Sequence, residues 1–262
     1  MKKHPVNLIL PWIIPMSLLI FWFAAGKFRL VPSYLLPPPH EVGNTGYEYI
    51  FGKQGAAPYS GRFLSDAAAS LVRIGLGFFI ATATGIPLGI LSGRMPVVRK
   101  LLSTTINGLR AVPGITWLPL AMIWLGIGLK TTIFLIALAA FFPIYLNTAS
   151  GAVQVNPILL QAGDMMGIKR FKKLFFILIP GMMPDMMTGL RLGLGISWAY
   201  LVLGELTGVP NGLGAVIMDA RMLGRIDMIV VGIIIIAVMG RLSDMMLKYF
   251  LKICFKSAAR MT

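Results

Sequence analysis

Four stretches of this chain run without a charged residue for the length of a bilayer-crossing helix or more: Pro5–Gly26, Ile74–Gly93, Ala111–Leu129 and Thr131–Gly163. About 18 consecutive uncharged, mostly apolar residues are enough to cross the hydrocarbon layer as a helix. Inside a bilayer the backbone has no water to bond, so a stretch of that length must satisfy its own N–H and C=O groups by coiling. Two further segments, Met182–Leu206 and Met228–Leu251, are interrupted by Asp185, Arg191 and Glu205 and by Arg241, Asp244 and Lys248. Each keeps an uncharged centre, Leu192–Gly204 and Met228–Gly240, extended by apolar turns. The expectation is an all-α polytopic membrane protein with six transmembrane helices, at about 8–26, 67–92, 112–129, 131–152, 181–206 and 226–250.

A formal charge of +15 would point a soluble protein toward nucleic acid, but only 13% of these residues are charged and no basic stripe alternates with exposed aromatics. The cations instead follow the connections between spans. With the amino terminus inside, the inner segments hold Lys2, Lys3, Arg94, Arg99, Lys100, Arg110, Lys169, Arg170, Lys172, Lys173, Lys248, Lys252, Lys256 and Arg260. The outer segments hold Lys27, Arg29, Lys53, Arg62, Lys130, Arg221 and Arg225. That bias places both termini in the cytoplasm and names the lipid bilayer, not nucleic acid, as the surrounding partner. The first apolar run is too long for a secretory signal core and no convincing small-x-small cleavage site follows, so it reads as an uncleaved helix.

Punctuation residues set the boundaries. Ser65 or Asp66 is a candidate cap for the second helix, Gly126–Lys130 a tight turn between the third and fourth, and Pro210-Asn211-Gly212 a turn before the sixth. Pro37-Pro38-Pro39 opens an irregular outer connector. Gly85 and Gly89, and Gly189, Gly193 and Gly195, allow close helix approach, within the chain or between subunits.

Catalytic chemistry is missing from the pattern. His4 and His40 lie in terminal and loop positions with no metal-ligand spacing, Cys254 is the single cysteine, and no phosphate-loop motif occurs. The expected role is not an enzymatic one, with no cofactor bound by this chain. Charges within the spans carry more information, because an ionised side chain at membrane depth faces protein or water. Glu205 can pair with Arg73, and Arg241 with Asp185; either helix packing or a substrate path accounts for such residues.

One internal segment stands apart, Gln161 to Pro180, QAGDMMGIKRFKKLFFILIP. Asn156-Pro157 is a helix start, Ile158, Leu159, Ala162, Met165 and Met166 recur at helical spacing, and Gly167 allows a sharp exit. Such a helix presses into a partner's groove, or lies on anionic lipid anchored by Lys169–Lys173.

The residues Gln161-Ala162-Gly163, Gly167 and Ile177-Leu178-Ile179-Pro180 resemble the cytoplasmic loop motif of bacterial ATP-binding-cassette importer permeases, Glu-Ala-Ala, then Gly, then Ile-x-Leu-Pro. Ser70-Leu71-Val72-Arg73, Gly85-Ile86-Pro87-Leu88-Gly89, Arg110-Ala111-Val112-Pro113, Trp117-Leu118-Pro119-Leu120, Phe142–Thr148 and Gly189-Leu190-Arg191 are similar to the sulfonate, nitrate and taurine permease group, most of all to aliphatic sulfonate permeases. The resemblance covers about Gly61 to Lys252 and implies the type I importer permease fold, in three parts: 1–60 as first helix and outer loop, 61–252 as permease core with a coupling loop at 153–180, and 253–262 as a cytoplasmic tail.

It further implies a multi-pass protein of the bacterial inner membrane that translocates a small anion, with aliphatic sulfonates as the expected substrate and nitrate or taurine as alternatives. An ion-coupled secondary transporter and a membrane scaffold are the rivals from other classes. The implied partners are two cytoplasmic ATPase subunits that use ATP and Mg, an extracytoplasmic binding protein and a second permease copy. Gln161, Ala162, Gly163, Asp164, Met165, Gly167 and Pro180 would couple to the ATPase; Arg73, Arg110, Trp117, Arg191, Trp198 and Glu205 are candidates along the substrate path. The departure is Gln-Ala-Gly for Glu-Ala-Ala, with Asp164 as a substitute for the lost acid.

Overall fold

A computed structural model describes residues 10–28 and 30–254. Lys2, Lys3, His4, Arg29, Lys256, Arg260 and the Cys254 side chain lie outside the described residues. The described residues form ten α-helices: α1 Ile13–Lys27, α2 Pro39–Phe51, α3 Phe63–Arg94, α4 Pro96–Ala111, α5 Trp117–Leu125, α6 Leu129–Gln154, α7 Pro157–Met165, α8 Arg170–Glu205, α9 Leu213–Met222 and α10 Ile226–Cys254. They divide into two compact units, one holding residues up to Asp66 with Val216–Ile235, the other Ala67–Ala215 with the chain from Ile236.

Five helical stretches are long and apolar enough to cross a membrane, Leu10–Lys27, α3, α6, α8 and Ile226–Ile253. The sixth expected span is not one straight helix. Over 112–129 only α5 and a short 3-10 turn are helical, and α4 with the turn and α5 forms a pair bent by 80° that together has the length and composition of a span. The break falls at Val112-Pro113, where proline disfavours helical geometry in the residue before it and Val112 is extended.

Packing within the larger unit settles how that pair runs. A Cβ built on Gly77, Gly85, Gly89 or Gly93 of α3 would meet Ile136, Ile144, Thr148 or Ala152 of α6, respectively, at 2.6 to 3.1 Å. Each step along α3 matches an equal step along α6 in the same direction, so the two helices are parallel. The chain between them must therefore return from the end of α3 to the start of α6, and α4 with α5 is what makes that return. Against α8 the order reverses: Gly151 faces Asp185, Gly189 faces Asn147, Gly193 faces Ile144 and Gly204 faces Thr132, an antiparallel contact. The small residues thus serve packing inside the chain, where backbones approach closely and dispersion replaces the hydrophobic drive. A Cβ on Gly195 would meet nothing within 4 Å.

The core of this unit is built on Ala140, Ile144, Leu178, Met182, Met183 and Leu190. In the smaller unit Val42, Tyr49 and Tyr59 pack against Val216, Met228 and Val231, and Asp227 accepts from Thr45 at 2.7 Å and from Arg225. Burial, with the Asp219 charge second, raises the Tyr59 phenol above its usual pKa and keeps it neutral. Neither Ser65 nor Asp66 caps α3, which begins at Phe63; Asp66 lies in its first turn and accepts from the Tyr49 hydroxyl at 3.1 Å.

Candidate functional site

The basic interruption folds as a short helix, a reversal and the start of a long one. Asn156 caps α7 by accepting from the Ile158 N–H at 2.9 Å, with Pro157 in the first turn where its missing donor costs nothing. At the other end Ile168 N–H bonds the Gly163 carbonyl and Gly167 N–H that of Asp164, each at 3.0 Å, with Gly167 at φ +65°. That pair of bonds is a Schellman stop, and only a residue at ease in the left-handed region closes it.

α7 turns Leu160 and Gly163 inward and leaves Ile158, Leu159, Met165 and Met166 exposed, Met165 to 90%. Ala162 lies half-buried beside them. At the departure from the motif, a Cβ on Gly163 would stand 2.8 Å from Ile177 Cδ1, so a larger residue there makes the end of that side chain move aside. Asp164 is ion-paired with Lys173 on the first turn of α8, and Gln161 lines a cleft of about 740 Å³ with Arg94, Arg170 and Lys173. α8 was expected to begin near 181 but starts at Arg170, with a π-helical turn at Leu174–Leu178 just before Pro180. Proline lacks the N–H that would bond four residues back, and the wider turn falls where that bond is lost.

Two of the intramembrane arginines are neutralised. Arg73 Nη1 donates to Glu205 Oε1 at 2.6 Å and to the Asn211 carbonyl at 2.8 Å, and Nη2 donates to Asn211 Oδ1 at 2.9 Å. Ser70 Oγ donates to the same carboxylate at 2.7 Å, and Gly214 N–H to its other oxygen at 2.8 Å. The knot joins α3, the end of α8 and the turn before α9. Arg191 donates two bonds to Asp244, at 2.8 and 2.9 Å, tying α8 to α10. Arg241 sits 3.6 Å from Asp244 on its own helix and does not reach Asp185, which packs against Gly151 of α6. Asp244 is one turn from Arg241, so the nearer acid takes it. Trp198 of α8 is buried, its indole N–H donating to Ser243 Oγ of α10 at 2.9 Å.

Arg110 and Trp117 come together elsewhere. They line a cavity of about 450 Å³ with Phe142, Leu146, Asn147 and Tyr200, at the bend between α4 and α5 and against α6 and α8. No acidic residue lines it, and Arg110 has no ion pair among the described residues. Asn147 uses its amide N–H on the Pro143 carbonyl at 2.8 Å, leaving its side-chain oxygen free of that bond. The sequence had not marked Asn147 or Tyr200 as site residues. The signal was distributed: Tyr200 matters because its hydroxyl lies 2.1 Å from where a Cβ on Gly114 would be, a contact between residues far apart in the chain. The six path candidates therefore separate into a buried knot (Arg73, Glu205), a helix brace (Arg191), a packed indole (Trp198) and a cavity pair (Arg110, Trp117).

Residues 85–252 match the family model described as binding-protein-dependent transport system inner membrane component. The chain is 36% identical over 231 residues to the taurine transport system permease protein of Escherichia coli K12, covering 88% of this chain and 83% of that protein. It is 33% identical to the putative aliphatic sulfonates transport permease protein of Bacillus subtilis 168, covering 88% and 81%. To the nitrate import permease protein of a Synechocystis strain it is 34% identical, covering 93% and 90%. Among solved structures, an inward-facing conformation of the MetNI methionine ABC transporter superposes with a TM-score of 0.62 at 18% identity, covering 72% of this chain and 94% of that one, which carries the fold alone.

Proposed function

The chain belongs to the family of binding-protein-dependent transport system inner membrane components, the permeases of ABC importers, and on that premise we propose that it moves a small aliphatic sulfonate into the cell. The observation that carries the substrate reading is the cavity of about 450 Å³ beside Arg110. A single unpaired cation there meets an oxyanion, and Trp117, Phe142 and Leu146 give an alkyl tail an apolar wall. Nitrate has no tail to use that wall. Taurine is an aminoalkanesulfonate and satisfies the same head group; relatives named for taurine and for aliphatic sulfonates support the reading.

In this reading residues 61–252 form the permease core and 153–180 its coupling loop, on the cytoplasmic side of the inner membrane with both termini. Two ATPase subunits, which use ATP and Mg, dock on the exposed face of α7; an extracytoplasmic binding protein delivers the anion, and a second permease copy completes the helix set. The Gln161–Gly167 segment and Pro180 transmit ATPase closure to α8. Asp164, already facing Lys173, supplies the negative charge that Gln161 lacks.

The test is ATP-dependent uptake of radiolabelled ethanesulfonate, taurine and nitrate by the assembled transporter. Saturable sulfonate uptake that nitrate does not inhibit is expected. Nitrate uptake without sulfonate uptake overturns the substrate, and sulfonate uptake that survives ATPase removal but collapses with the proton gradient overturns the importer.

A further inference from the structure

α4 carries other cations besides Arg110. Arg99, Ser103, Ile106 and Arg110 follow one another at spacings of four, three and four, which places them along a single face of the helix. Arg110 lines the cavity already described. Arg99 and Ser103 line a second one of about 310 Å³, closed by Ser92 of α3 and by Tyr145, Ser150 and Gln154 of α6. The two cavities adjoin consecutive parts of α6, and their arginines are separated by roughly 16 Å at 1.5 Å per residue. Ile106 is buried on the stripe between them.

Their chemistry is complementary. Ser92 Oγ accepts from the Tyr145 hydroxyl at 2.8 Å, and Ser150 Oγ accepts from the Gln154 amide at 3.0 Å. Each serine accepts one bond, and neither hydroxyl is a donor in any bond among the described residues. Donor hydroxyls beside a guanidinium suit an oxyanion head. No acidic residue lines this cavity either, and Arg99, like Arg110, has no ion pair among the described residues. Arg73 and Arg191, by contrast, are each held by a carboxylate.

We propose that the α4 stripe is a two-station path for a small oxyanion, the charged head passing from Arg110, where an apolar wall holds the tail, to Arg99, where hydroxyls replace the wall. The Arg99 station lies at the end of α6 that leads into α7, so it is the station nearer the coupling helix. The proposal rests on the substrate reading above, and its test separates the two.

In the assembled transporter, Arg99→Gln and Arg110→Gln are each expected to lower ethanesulfonate uptake about 10-fold or more, the scale of a lost charge-assisted bond, while Arg99→Lys and Arg110→Lys restore most of it. A second measurement needs no transport. Ser103→Cys, in a Cys254→Ser background, is labelled with the anionic sulfonatoethyl methanethiosulfonate and with neutral methyl methanethiosulfonate. The ratio of anionic to neutral rate should fall about 10-fold on adding Arg99→Gln, because the local positive potential concentrates anions. Ethanesulfonate should protect that cysteine. Wild-type uptake that both glutamine variants preserve, or a labelling ratio that Arg99→Gln leaves unchanged, overturns the two-station path. A wild type that moves no sulfonate overturns the substrate reading instead, and the labelling ratio still decides whether Arg99 forms an anion station.

Discussion

The Arg73 guanidinium lies 2.6 Å from the Glu205 carboxylate, with both side chains buried. A buried pair broken on one side leaves an uncompensated charge, at a cost of about 3–5 kcal/mol. Glu205→Gln keeps the shape and removes the charge, so it should destabilise the detergent-purified chain by about that much. Thermal unfolding checks it, and adding Arg73→Gln should recover part of the loss. A Glu205→Gln protein that unfolds at the wild-type temperature would show that the pair is not a structural clamp.

Gly212 closes the same knot. It adopts φ +132°, and a Cβ there would fall 2.5 Å from Glu205 Cδ and 2.6 Å from Arg73 Nη1. Gly208 is also at positive φ, +96°, but a Cβ there would meet nothing within 4 Å. Gly208→Ala should therefore cost only backbone strain of about 1–3 kcal/mol, and Gly212→Ala clearly more. Equal melting temperatures for the two variants would contradict the steric account.

The span pattern was legible because uncharged runs of bilayer length have few alternatives. The third span was misplaced for the same physical reason that made the others clear. Arg99, Lys100 and Arg110 break the apolar signal over α4, so the sequence moved the span onto the cleaner run after Ala111. α4 belongs to the crossing pair all the same, because α3 and α6 are parallel and something must return between them. The cap of α7 and its glycine stop were readable because capping is local chemistry. What Gly163 faces was not, since that depends on Ile177 reaching back from the next helix. Likewise Asn211 gave no hint that it would hold Arg73 across most of the chain.

Arg191 and Asp244 join α8 to α10 by a two-pronged contact, with Arg191 still 41% exposed. Exposure reduces the worth of the pair, and removing one partner by Arg191→Gln should cost about 1.5–3 kcal/mol at most, less than Glu205→Gln. The exchange Arg191→Asp with Asp244→Arg should restore part of it, because the charges remain complementary. Thermal unfolding of the single and exchanged variants decides this. An exchanged protein no more stable than either single variant would mean that the geometry of the fork, and not its charge, holds the helices together.

Met165 offers a different kind of separation, between stability and coupling. At 90% exposure its side chain supports almost nothing within the chain, yet it shares an apolar face with Ile158, Leu159 and Met166 on a helix capped at both ends. A substitution away from packed features changes stability by about 0.5 kcal/mol or less. Met165→Glu should therefore melt like wild type. If that face seats in an ATPase groove, the added carboxylate must be desolvated on docking, and ATPase co-purification and ATP-driven uptake should both fall about 10-fold or more. Gly163→Val reaches the same end by another route, pushing Ile177 away and shifting α7 against α8; it should lower uptake while leaving the exposed face chemically intact. Wild-type co-purification and uptake in Met165→Glu would remove α7 as the docking helix. A loss of uptake with normal co-purification in Gly163→Val would place the α7–α8 contact in transmission and not in docking.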